Sequence, residues 1–155
     1  MNKYAGIAFS FLLLLTTSCK TDDDKDVMPG EPVSIVPYIE LEEVTPHTVK
    51  QFEDRRHFFI FYRDGDGDLG HPDADSLTLY ITDNRFPLTE AYHIPPSAPE
   101  GSDIAIQGVL EVVTEPIMLK DENNASEQVT YTVRLRDRAG NWSNEVTSEN
   151  LTVEK

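Results

Sequence analysis

With 28 acidic against 13 basic side chains in 155 residues, the chain carries a net charge of −15. That balance excludes nucleic acid as a partner, since phosphate backbones are held by clustered Lys and Arg, and it keeps the polypeptide surface off anionic headgroups. The length fits one domain, and a single cysteine excludes an intrachain disulfide.

Residues 1–18 hold one basic residue, Lys3, and an apolar run from Ala5 to Leu15. A run of that length suits a signal-peptide core and is too short to span a bilayer. It ends in Leu15-Thr16-Thr17-Ser18-Cys19, which resembles the lipobox of bacterial lipoproteins, although the leucine stands four residues before the cysteine where three is usual. The resemblance implies that residues 1–18 are removed as a lipoprotein signal peptide. Cys19 then becomes the acylated N-terminus and holds the protein to a membrane through lipid. Losing residues 1–18 takes away Lys3 and no acid, which moves the net charge from −15 to −16.

Residues 19–32 are polar, charged and punctuated by Pro29-Gly30 and Pro32, a composition that buries too little to fold and reads as a flexible acidic tether. Its run Lys20-Thr21-Asp22-Asp23-Asp24-Lys25-Asp26 resembles the surface-export signal of Bacteroidetes lipoproteins; the alternative is an ordinary charged spacer. The address these features imply is the outer membrane, lipid-anchored and exposed at the cell surface.

Residues 33–155 are expected to form an all-β domain, an immunoglobulin-like antiparallel sandwich of about seven strands. Ile35–Leu41 reads as a first strand, with Pro37 tolerable only at an edge. Residues 45–55 are mixed and leave room for a short helical turn. Arg56–Arg63 is apolar on both faces, which predicts a central strand. Leu77, Leu79 and Ile81 alternate with polar residues as a half-buried third strand. Residues 83–102, with Pro87, Pro95, Pro96 and Pro99, read as a long irregular connection. Ile104–Val113 alternates again, with Gly108 suggesting a bulge or bend. Val129, Tyr131, Val133 and Leu135 alternate with Thr130, Thr132, Arg134 and Arg136 in the clearest strand of the chain, and Glu145–Val153 forms the last. Trp142, in the turn before it, is expected to plug one end of the core.

The distinctive chemistry lies at Asp64-Gly65-Asp66-Gly67-Asp68-Leu69-Gly70, directly after the second strand. Ca²⁺ takes six to eight oxygens at about 2.3–2.6 Å, and alternating carboxylates on a glycine-rich turn supply several of them. Gly65 and Gly67 are expected to take positive φ so that Asp64, Asp66 and Asp68 converge. Asp73 and Asp75 follow closely enough to complete the shell, giving five acids within residues 64–75. The loop is not an EF-hand: with Asp64 as the first position, Leu69 stands where glycine is required, and the flanks are strands. The competing reading is a solvated Asp-Gly turn. In an immunoglobulin-like topology the turn Asp137-Arg138-Ala139-Gly140-Asn141 comes to the same end. Asp137 then either joins the cation shell, or Arg138 neutralises the acids with no metal.

These motifs together resemble a family of uncharacterised surface lipoproteins from Bacteroidetes, with a lipobox, an acidic tether, a strand ending in a DGDGDLG-like loop, and a late D-x-A-G-N-x-S-N turn, here Asp137 to Asn144. The resemblance implies fold and address but no activity. Asp75-Ser76-Leu77 also resembles the short O-glycosylation acceptor motif of that phylum, with Ser76 as the acceptor. No nucleophile elbow is present, and none of His47, His57, His71 and His93 stands in a recognisable base-and-nucleophile arrangement, so no catalytic residue is assigned. The expected function is a non-enzymatic binding or accessory module with a calcium-stabilised loop, whose partner is a surface glycan or protein. The alternative is a metal-free structural spacer or envelope subunit.

Overall fold

In the computed structural model, residues 32–155 except Pro87 are described; the expected signal peptide, Cys19 and nearly all of the tether lie outside them. The ten strands are β1 (Tyr38–Thr45), β2 (Thr48–Lys50), β3 (His57–Asp64), β4 (Leu79–Asp83), β5 (Leu88–Tyr92), β6 (Ile106–Val113), β7 (Ser126–Val129), β8 (Tyr131–Leu135), β9 (Val146–Thr147) and β10 (Leu151–Glu154). No helix occurs among the described residues.

One layer is β1-β3-β6 and the other is β5-β4-β8-β9, continued by β2-β10-β7. The continuation follows from the chain itself. β7 and β8 are one strand line interrupted at Thr130, and β9 and β10 are another interrupted at 148–150. At the second interruption Ser148 replaces a ladder rung: its Oγ accepts from the Tyr131 amide at 2.9 Å and its own amide donates to the Tyr131 carbonyl at 2.9 Å. Counting β1 with β2, β7 with β8 and β9 with β10 leaves seven strand lines, in keeping with the all-β sandwich of about seven strands expected. All pairings are antiparallel except β2 with β10, which is parallel.

The sequence pattern sets which faces meet. Ile39, Phe58, Ile60 and Val112 from one layer face Leu79, Ile81, Val133, Leu135, Leu151 and Val153 from the other, all at 7% exposure or less. Burying each such side chain contributes about 1.5–3 kcal/mol. Phe58 meets Tyr131 edge-to-face with ring centroids 5.1 Å apart, joining the layers at mid-core. β3 is central in its sheet, as its apolar character predicts.

Several expectations shift. The first strand begins at Tyr38, three residues after Ile35, because Pro37 has no N–H for the ladder and sits buried just before it. Residues 48–50 form a strand where a helical turn had room, and β5 lies inside the stretch read as irregular. Gly108 is not a bulge: β6 keeps register with β3 throughout, and Gly108 is small because a Cβ there would lie 3.0 Å from the Tyr62 hydroxyl. The register shift falls in β1, between Leu41 and Glu43. Trp142 does not plug the core. It stands 38% exposed on the outer face of the second layer, under the guanidinium of Arg134 at 4.5 Å and beside Tyr80 at 5.1 Å.

Candidate metal centre

β3 delivers Asp64 to the end of the sandwich, and the chain then turns at Gly67 and Gly70, with φ of 73° and 78°. Positive φ is therefore used at Gly67 and Gly70. Gly65 serves a different purpose, close packing, since a Cβ there would lie 2.4 Å from the Val33 carbonyl oxygen. Leu69, fully buried, anchors the loop in the core. The Leu69 carbonyl accepts from the Ser97 amide at 3.0 Å, and the His71 amide donates to the Ile94 carbonyl at 2.8 Å. An apolar residue directly after the alternating acids thus folds the turn back and holds the carboxylates at the tip.

Asp64, Asp66 and Asp68 converge: one carboxylate oxygen from each lies within 4.8 Å of the others. Oxygens bound to one Ca²⁺ at 2.3–2.6 Å are at most about 5 Å apart, so the spacing fits a shared ion. Asp64 is fully buried, and the Oδ1 atoms of Asp64, Asp66 and Asp68 are all buried without a hydrogen-bond partner. The other oxygens are used to hold the loop. Asp64 Oδ2 accepts from the Asp68 amide at 3.0 Å, and Asp68 Oδ2 accepts from the Ala139 amide at 2.9 Å. Each of these two residues therefore spends one oxygen on structure and leaves the other bare.

Burial and charge both work against ionisation in the cluster. Burial, and then repulsion from Asp66 and Asp68, push the Asp64 carboxyl up to about 6. Asp68 is also raised, first by burial, against the opposing hydrogen bond from Ala139. A solvated turn would show none of this. Asp-Gly turns keep their carboxylates in water, whereas here Asp64 is buried, Asp66 and Asp68 are half-buried, and each of the three holds one buried oxygen without a partner.

The turn after β8 supplies the clamp. The Arg138 guanidinium donates to the carbonyls of Gly70 at 3.0 Å, Gly67 at 3.4 Å and Leu69 at 3.5 Å. It forms no ion pair within 4.0 Å of Asp64, Asp66 or Asp68 among the described residues; it holds the loop backbone, and its charge partly offsets the upward shift of Asp68. Asp137 is buried, and both its oxygens are taken by Asn141, from the amide at 2.7 Å and from Nδ2 at 2.9 Å. It lies close enough to raise Asp64 and Asp68 electrostatically but stands outside the converging trio. Asp73 and Asp75 are exposed and outside it too; Asp73 Oδ1 caps its own turn by accepting from the Asp75 amide at 3.0 Å. Ser76 is half-buried, its amide on the Asp73 carbonyl at 3.0 Å in the turn leading to β4.

One contact of the D-x-A-G-N-x-S-N turn was not legible as such. Asn144 bridges the layers, its Oδ1 accepting from the Ile39 amide and its Nδ2 donating to the Ile39 carbonyl, both at 2.9 Å. An asparagine after a serine in a turn carries no signal that its amide will mimic a strand.

Fold and site together define an all-β sandwich with a converging carboxylate trio at one end. No family model matches the chain, and no curated protein matches it. Among solved structures it is similar to a mutant of the SrpA adhesin from Streptococcus sanguinis, at 16% identity and a TM-score of 0.41. The alignment covers 78% of this chain and 57% of the adhesin chain.

Proposed function

We propose that this chain is a non-enzymatic binding or accessory module, lipid-anchored through Cys19 in the outer membrane and displayed at the cell surface, whose acidic loop is completed by Ca²⁺. Two observations carry the metal reading together: one carboxylate oxygen from each of Asp64, Asp66 and Asp68 lies within 4.8 Å of the others, and the Oδ1 atom of each is buried without a hydrogen-bond partner. A hard divalent ion suits three carboxylate oxygens, and neither a thiol nor an imidazole stands among them to favour a softer metal. Bound there, the ion offsets two of the trio's three negative charges and stiffens the end of the sandwich.

The surroundings of the histidines support a non-catalytic role. His57 pairs with Glu111 at 2.7 Å in an exposed position, His47 lies 3.5 Å from Glu149, and the His93 ring contacts the His71 carbonyl at 2.7 Å. A surface partner, glycan or protein, is supported by the outer face of the second layer, where Tyr80 and Trp142 stand beside Thr82, Thr89 and Thr132 around a shallow pocket. Aromatic faces with neighbouring hydroxyls are the chemistry that sugars use.

The test is a thermal melt of the chelator-stripped protein titrated with Ca²⁺. At a hundredfold excess over Kd the stabilisation is about 2.7 kcal/mol, a rise on the order of 10 °C, lost in the variant carrying Asp66→Ala with Asp68→Ala. An unchanged melting temperature in the parent protein overturns the metal reading.

A further inference from the structure

At the other end of β3 from the acidic loop, the two layers part between β5 and the segment after β6, leaving a cavity of about 460 Å³. Its floor is Ile81 and Tyr131, both core residues, and its walls include Phe86, Leu88, Ile117 and Met118. The volume falls in the range of small-ligand sites, roughly 300–1,000 Å³. β5 and β6 are each the last strand of their sheets, so no strand covers the opening among the described residues.

Two observations distinguish this cavity from a packing gap. Three of its lining residues are large apolar side chains held out in water: Phe52 at 68% exposure, Leu88 at 64% and Met118 at 49%. Their clustering at one opening is the mark of a binding surface, whereas scattered exposure would mean nothing. Phe52 also has φ of 62°, the left-handed region, and it is the one non-glycine residue there among those described. A bulky aromatic in that region is strained and persists only where the surroundings hold it. Here the Phe52 amide donates to the Ile117 carbonyl at 2.9 Å and the neighbouring Gln51 amide to the Glu154 carbonyl at 2.8 Å, which present the ring at the cavity mouth. Glycine would take this backbone without strain, so the ring is kept against the local preference of the chain.

The charged groups at the cavity select among apolar ligands. The Arg85 guanidinium is committed to Asp83, to Glu127 at 2.9 Å and to the Met118 carbonyl at 3.1 Å, so it is not free to capture an anion. Glu90, on the wall, spends Oε2 on the Tyr92 hydroxyl and leaves Oε1 without a partner among the described residues. The chain as a whole carries −15. We propose that this cavity binds the hydrophobic portion of a small cationic ligand, with Phe52, Leu88 and Met118 closing over the apolar part and Glu90 facing the positive charge.

The test is isothermal titration calorimetry of the full chain with decyltrimethylammonium and with decanoate, each below its micelle concentration. One equivalent of the ammonium is expected to bind and decanoate at least tenfold more weakly. Phe52→Gly is expected to weaken ammonium binding tenfold or more with a melting temperature equal to or above that of the parent, because the strained backbone is relieved. Glu90→Gln is expected to weaken it at least threefold. Equal affinity for the two probes, or no effect of Glu90→Gln, overturns the charge assignment. Absence of saturable binding, or binding indifferent to Phe52→Gly, overturns the site. Since no step involves the acidic loop, the titration gives the same answer with calcium or with chelator present.

Discussion

Replacing Asp64 by asparagine inverts the usual expectation for a buried, structurally engaged residue. The side chain is fully buried, its Oδ2 accepts from the Asp68 amide at 3.0 Å, and its Oδ1 is buried without a hydrogen-bond partner. Asparagine keeps the acceptor through its own carbonyl oxygen and places an amide donor where the bare Oδ1 stood. The Asp64 carboxyl is pushed up to about 6 from an ordinary 3.8, about two pH units. At about 1.4 kcal/mol per unit, the ionised form costs the metal-free fold roughly 3 kcal/mol at neutral pH. The folded pKa lies above the unfolded one, so this cost is fully present above about pH 6 and is relieved as pH falls toward 4. In chelator at pH 7.5, Asp64→Asn is therefore expected to melt above the parent protein, by up to about 10 °C for a domain of this size. By pH 4 the two should converge, since the parent is by then largely protonated. In saturating Ca²⁺ the order reverses, because the parent gains the ion and the variant has lost a charged ligand. Differential scanning calorimetry in chelator and in calcium reads both signs. A variant that melts below the parent in chelator at pH 7.5 would refute the argument that repulsion and burial strain this carboxylate.

Arg138→Ala is expected to cost about 1–3 kcal/mol, measured by denaturant unfolding, because three carbonyls of the acidic loop lose a charged donor. If Arg138 merely decorated the surface, the cost would stay within about 0.5 kcal/mol. Cys19→Ser is expected to move the protein from the membrane fraction to the soluble fraction and to abolish incorporation of labelled fatty acid. Retention of the label would contradict the anchor.

Much of the architecture was legible because the alternation that marks a strand is the same alternation that buries it. Val129, Tyr131, Val133 and Leu135 read as one face of a strand and are all at 3% exposure or less. The interruption at Thr130 was invisible, since it arises from the change of pairing partner from β10 to β4 and β9, which no local pattern records. β5 was missed for a related reason: Leu88, Thr89 and Glu90 are exposed at an edge and have no buried face to impose a period. The acidic loop was readable from the spacing of Asp64, Asp66 and Asp68, which alternate within one turn. Proximity in sequence misled for Asp73 and Asp75, because the Leu69 carbonyl and the His71 amide pin the loop to Ser97 and Ile94, and Asp73 and Asp75 beyond that point are exposed. Asp137 was rightly brought near but was already satisfied by Asn141 four residues on, a local bond that a ligand count overlooks. The exposed Phe52 gave no sign in the sequence, where it reads as one apolar residue in a polar stretch.

The most direct test of the central claim is a calorimetric titration of the chelator-stripped protein with Ca²⁺ at pH 7.5 and pH 5. One ion per chain is expected at pH 7.5. At pH 5 the affinity should be weaker and binding should release close to one proton, because Asp64, raised to about 6, must ionise to become a ligand. Absence of binding at pH 7.5, or an affinity and proton release that do not change between the two pH values, would contradict a cation held by Asp64, Asp66 and Asp68.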